Sequence, residues 1–171
     1  MIFVQLLAFH APRGVEQDVG FALGAQKIGS IVYEDLGDPR GIGVLTWTER
    51  PDDLVTIVRP VLADPTFDLA LRPELAMTGK ADGKAIETIA DARRPWAIWF
   101  PRRAAGAYEP SAAHEVRFAC HGLCMRDNDS VIGLVGTELH VLSEIVQAKR
   151  DAEPLARMGP FFVGRVACRH P

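Results

Sequence analysis

The sequence predicts an α+β domain built from two ferredoxin-like repeats, on two observations. A turn, strand, helix, strand order occurs twice, once after Asp38-Pro39-Arg40-Gly41 and again after Asp127-Asn128-Asp129. Each turn is followed by an apolar strand and then by a segment with apolar residues at helical spacing. A βαββαβ unit followed by a β–ββαβ unit gives two antiparallel sheets with helices on one face of each.

The elements follow in order. Ile2–Phe9 is a short apolar run that stops at His10-Ala11-Pro12, so it reads as a buried strand. Val15–Gln26 carries Val15, Val19, Ala22 and Leu23 at helical spacing. Ser30–Glu34 and Ile42–Trp47 are strands on either side of the Asp38-Pro39 turn. Pro51–Ala63 opens with Pro and two acids, as helix starts do, and Phe67–Leu71 reads as a fourth strand.

In the second half, strands are expected at Trp96–Phe100, Val116–His121, Val131–Val135 and Pro160–Cys168, with a helix over Glu138–Arg150. The first crossover helix has no counterpart there. Gly106 and Pro110 interrupt the interval Arg102–Glu115, where a crossover normally needs a helix. The chain is thus one domain over residues 1–171. Residues 1–77 form the first repeat, 78–94 a polar linker with a short helix around Ala85–Ala92, and 95–171 a second repeat missing its first helix.

Composition narrows the function classes. A net charge of −3 gives no case for nucleic acid, and no apolar run approaches the roughly 18 residues of a membrane span. The apolar Met1–Phe9 lacks a basic leader region and a cleavage site. Cys120, Cys124 and Cys168 are too few for a disulfide framework, which points to a reduced, cytoplasmic protein. The glycine signatures of dinucleotide, nucleotide and serine-hydrolase sites are absent from the sequence.

Several stretches carry a family resemblance in the same order. They are Val32–Trp47, Trp96–Arg103 (Trp-Ala-Ile-Trp-Phe-Pro-Arg-Arg), Val116–Leu123, Asp127–Asp129 and Met158–Arg165. Together they resemble the chlorite dismutase-like family, which includes chlorite dismutases and coproheme decarboxylases. The resemblance implies a dimeric α+β barrel with haem b or coproheme in the C-terminal half. It also implies a distal arginine or glutamine, and an iron-ligating histidine on a helix. Arg117 takes the distal arginine's place on its strand. The family's ligand histidine falls between the Pro-Arg-Arg motif and the Val-Arg strand, and Ala104–Ala113 contains none. The chain therefore resembles a shortened form lacking the haem-ligand helix.

Alternation along Val116–His121 places Arg117, Ala119 and His121 on one face and Val116, Phe118 and Cys120 on the other. Arg117 is the candidate catalytic cation, steering an anion or carboxylate, and its structural alternative is an ion pair with a nearby acid. His114, His121 and Trp99 are candidate cofactor contacts. His114, His121 and Cys124 are the candidate metal ligands, weighed against a buried thiol and a strand-end imidazole. Trp47, Trp96 and Trp99 line either a flat ligand pocket or ordinary core.

Three readings follow. The first is a haem or porphyrin oxidoreductase whose axial ligand comes from His114, His121 or a partner subunit. The second is a haem-free binding or assembly protein that kept the barrel. The third is an enzyme with no cofactor or with a non-haem transition metal. All three take a small-molecule ligand, with no nucleic acid and no membrane. The uncovered second sheet predicts a homo-oligomer, at least a dimer.

Overall fold

The computed structural model describes residues 1–69, 73–101, 116–125, 130–138, 140 and 162–170. Strand β1 (Ile2–His10) leads to helix α1 (Val15–Ala25), then to β2 (Gly29–Asp35) and β3 (Gly41–Thr48). A helical stretch of α2 (Pro51–Asp53), a π turn (Leu54–Val58) and α3 (Arg59–Leu62) precedes β4 (Leu75–Ala81) and α4 (Gly83–Asp91). The second half supplies β5 (Trp96–Pro101), β6 (Val116–Cys124), β7 (Ser130–Gly136) and β8 (Phe162–His170).

The strands close into a barrel in the order β1-β3-β2-β8-β5-β7-β6-β4. Each half contributes the order 4-1-3-2 of a ferredoxin-like sheet. The edge strands that would be left bare pair across the halves, β2 with β8 and β4 with β6, and every ladder is antiparallel. Closure removes the unpaired edges that invite aggregation. The expected pair of four-stranded sheets is present, joined into one barrel.

Alternation along β1 divides the two cores. Val4, Leu6 and Ala8 belong to a cluster with Ile31, Tyr33, Leu45, Met77, Ala97, Cys120 and Val135, which fills the barrel. Leu7 and Phe9 point the other way, into a second cluster with Val19, Leu23, Val44, Val58 and Leu62 beneath α1 and α3. Ile86 and Ile89 of α4 join the interior cluster, so α4 packs against the barrel's contents and not against its outer wall.

The helices over the first half lie where periodicity puts them. Gly14, at φ 95°, starts α1 in a conformation that glycine alone adopts cheaply. Its N–H donates to Glu16 Oε2, satisfying a donor at the helix start. Pro60 explains the π turn: it has no N–H, and its ring crowds the carbonyl four residues back. The register widens there, and the Arg59 N–H donates to the Leu54 carbonyl.

The fourth strand, expected over Phe67–Leu71, lies later at Leu75–Ala81, and Phe67 ends a 3₁₀ turn. Asp64 and Pro65 are the reason: Asp64 Oδ1 accepts from the Thr66 N–H and hydroxyl, nucleating a 3₁₀ turn over Pro65–Phe67. Phe67 is buried as a plug beneath the helices. The stretch 78–94, expected as a linker, begins with the last residues of β4, and residue 77 lies inside that strand. The expected helix around Ala85–Ala92 is present as α4, capped by Asp82, whose carboxylate accepts from the Ala85 N–H at 2.6 Å. The expected helix Glu138–Arg150 and the interval Ala104–Ala113 fall outside the described residues, apart from Glu138 and His140.

Candidate functional site

Among the described residues the barrel interior holds no open ligand site, and the outer face of the first half opens only at a cleft beside the start of α1. The interior is filled by large apolar side chains, and Leu6, Met77 and Tyr33 are fully buried. The first outer face is covered by α1 and by α2–α3 over a continuous apolar cluster. On the outer side of the second half, Ile132 and Leu134 of β7 are fully buried, and β6 carries Arg117, Ala119 and His121.

Arg117 stands at a break in the β6–β7 ladder. Val116 pairs with Gly136 and Phe118 with Val135, so Arg117 is the extra residue of a bulge. A bulge bends the strand and re-aims the side chain it carries. Arg117 and His121 are both exposed, and Ala119 between them is half-buried. His121 lies opposite Ile132 on one side and Thr78 on the other. Four residues apart on a strand, the two stand roughly 13 Å apart along one face.

Cys120 points into the barrel, fully buried, and burial pushes its thiol up to about 12. It behaves as a small hydrophobe, one of the two readings of the sequence. Cys124 takes the register position opposite Leu75, an odd number of residues from His121. His114 lies outside the described residues, and the Trp99 backbone pairs with Gly133 and Phe162. Among the described residues, no group of three or more His, Cys, Asp or Glu side chains is placed to hold a metal ion.

Two surface clefts and one cluster were not foreseen. A cleft of about 900 Å³ at the start of α1 is lined by Arg13, Glu34 and Arg165 among others, and Arg165 there is tied to Glu34. A second, of about 750 Å³, lies between the end of α4 and the end of β7, with Arg93, Arg94, Trp96 and His140 in its walls. At the other end of the barrel, His10 sits between Asp38 and Glu74. The adjacent Arg93-Arg94 before a tryptophan was the one sequence signal for the second cleft. The histidine cluster joins residues too distant in sequence to be read together.

No family model matches the chain, and no curated protein matches it by sequence. Solved structures do match the fold. A protein assigned as a chlorite dismutase, TA0507, superposes with a TM-score of 0.55 at 11% identity, over 98% of this chain and 95% of its own. A mutant chlorite dismutase from Candidatus Nitrospira defluvii gives 0.57 at 12% identity, over 98% and 92%. Another from the same organism, in complex with cyanide, gives 0.52 at 11%, over 98% and 91%. The chain has the chlorite dismutase-like fold. Within that fold, Arg117 and His121 lie on the outer face of the C-terminal sheet, the half in which the sequence resemblance places the cofactor. No helix among the described residues is long and apolar enough to cross a membrane.

Proposed function

We propose that this chain is a porphyrin-binding protein of the chlorite dismutase-like fold, taking haem b or coproheme against the outer face of its second sheet. One observation carries the reading. The two outer faces of the barrel differ: the first is an apolar cluster under helices, and the second carries an arginine on a bulge and a histidine four residues along the same strand, next to the fully buried Ile132 and Leu134. A guanidinium there suits an anionic ligand or a carboxylate, and imidazole is a suitable iron ligand.

The donor set fits such a group. Arg117 and His121 project from the same face, so both address the same side of a planar ligand. Arg117 would hold the anionic part of the ligand, and an imidazole from His121, from His114 or from a partner subunit would hold the iron. Haem iron would supply the redox chemistry. The sheet would exclude water from one side. The shortened ligand segment read from the sequence is part of this proposal, and so is a homo-oligomer. Leu123 and Met125, exposed beside the β4–β6 ladder, are the apolar residues such a contact would bury.

Titration with ferric haem and with coproheme, followed in the Soret region, tests the reading. Saturation at one porphyrin per chain is expected, weakened in Arg117→Ala while the variant stays folded. Spectra that remain those of free haem at all ratios would refute it.

A further inference from the structure

We infer that the cleft beyond Gly136 is the carboxylate-binding corner of this site, holding the acidic side chains of a planar ligand between Arg93, Arg94 and Trp96. The inference rests on the porphyrin reading and names the part of the chain that grips the ligand's charged edge.

The register puts Trp96, in the wall of the cleft, two strands away from the Arg117 bulge. Gly136 pairs with Val116 on one side and with Trp96 on the other. Trp96 and the Arg117 bulge are therefore two strand spacings apart, about 10 Å. Gly136, between them, has no side chain to fill the gap. The cleft of about 750 Å³ opens at this corner, with Thr137 and His140 on its far wall.

Charge and shape select the ligand class. Arg93 and Arg94 are exposed, and neither makes an ion pair among the described residues. The opposing carboxylates in the cleft are Asp91 and Glu138, and Glu138 lies 3.7 Å from His140. Two guanidiniums in the cleft, without an ion pair among the described residues, favour an anion, and a planar fork recognises a carboxylate by paired hydrogen bonds. Trp96 is half-buried and offers an aromatic wall. A ligand that is flat, aromatic and fringed with carboxylates satisfies all of these features at once.

The arginines are also held in place. Arg169 Nη1 donates to the Ala90 carbonyl at 3.1 Å and to the Ala92 carbonyl, clamping the end of α4 to β8 immediately before Arg93. The pair thus projects from a fixed chain and not from a loose loop, which lowers the cost of ordering it on binding.

Metal-free coproporphyrin, with four carboxylates, and protoporphyrin, with two, are the probes, read by quenching of tryptophan fluorescence. Substituting both arginines (R93Q/R94Q) should weaken coproporphyrin at least fivefold and flatten its salt dependence. The effect on protoporphyrin should be smaller. The single variants R93Q and R94Q give the same reading if the double variant does not fold. A change below fivefold for coproporphyrin overturns the corner. If the wild type binds neither porphyrin, the functional reading fails, and anilinonaphthalene sulfonate, an aromatic anion, then judges the cleft alone. Fluorescence enhancement in the wild type that disappears in R93Q/R94Q supports it, and no enhancement overturns it.

Discussion

His10 Nδ1 lies 2.7 Å from Glu74 Oε1, joining the end of β1 to the residue before β4. On the other side of the ring, Nε2 lies 2.8 Å from Asp38 Oδ2, in the turn between β2 and β3. Both ring nitrogens donate only when the imidazole is protonated, so the charged ring is the form that ties all three segments. The groups are partly exposed, which limits the gain. His10→Ala should cost about 1 kcal/mol in chemical denaturation and speed amide exchange at Ala8 and Leu75. Unchanged stability and exchange would show that the cluster holds nothing.

The carboxylates near this rim should titrate apart. Asp38 is held below the ordinary value, chiefly by the Arg40 N–H, with the His10 hydrogen bond and charge adding. Asp35 is raised by burial, against the hydrogen bond from the Gly37 N–H. The signs are opposite. Asp38 contributes stability above its unfolded value and loses it as pH falls through its folded value. Asp35 costs stability as pH rises from its unfolded value through its folded one. Carboxyl carbon NMR should show Asp38 titrating below Asp35, and the reverse order would contradict these placements.

The β4–β6 ladder that closes the barrel depends on close backbone approach. A Cβ on Gly122 would fall 1.8 Å from the Ala76 carbonyl oxygen and 2.6 Å from Met77 Cα, neither of which can swing aside. Gly122→Ala should therefore destabilise by about 2 kcal/mol or more. Gly83→Ala, at the start of α4 with nothing within 4 Å of its Cβ, is the control and should be neutral or slightly stabilising. Equal effects of the two substitutions would mean the ladder has slack.

Tyr33 places a hydroxyl in the barrel interior with no hydrogen-bond partner among the described residues, beside Cys120. Burial drives its acidity far down. An unsatisfied buried hydroxyl costs free energy, so Tyr33→Phe should leave stability unchanged or raise it by up to about 1 kcal/mol. A loss of more than that in a thermal melt would show that the hydroxyl has a partner, such as a buried water.

The sequence was most legible where one face of an element is wholly apolar. α1 and the Pro51 helix announce themselves through Val19, Leu23, Val58 and Leu62, all of which pack in one cluster. β4 was obscured because its outward residues Thr78 and Lys80 face solvent, so half the strand reads as linker. Phe67 misled through its strand preference, which the Asp64–Pro65 cap overrides. Strand alternation correctly separated Arg117 and His121 from Cys120, but the bulge at Arg117 comes from pairing with β7 and leaves no local trace. The corner at Arg93 depends on Gly136 joining β5 to β6, a relation that exists only once the barrel closes.

The central claim is that a porphyrin lies on the outer face of the second sheet, and paramagnetic broadening by ferric haem tests it most directly. On addition of one equivalent, amide signals of Arg117, Ala119, His121, Ile132 and Leu134 should broaden or vanish. Those of Val19 and Leu23 in α1, and of Val58, should stay sharp. Broadening centred on α1, or none at full occupancy, would contradict the account.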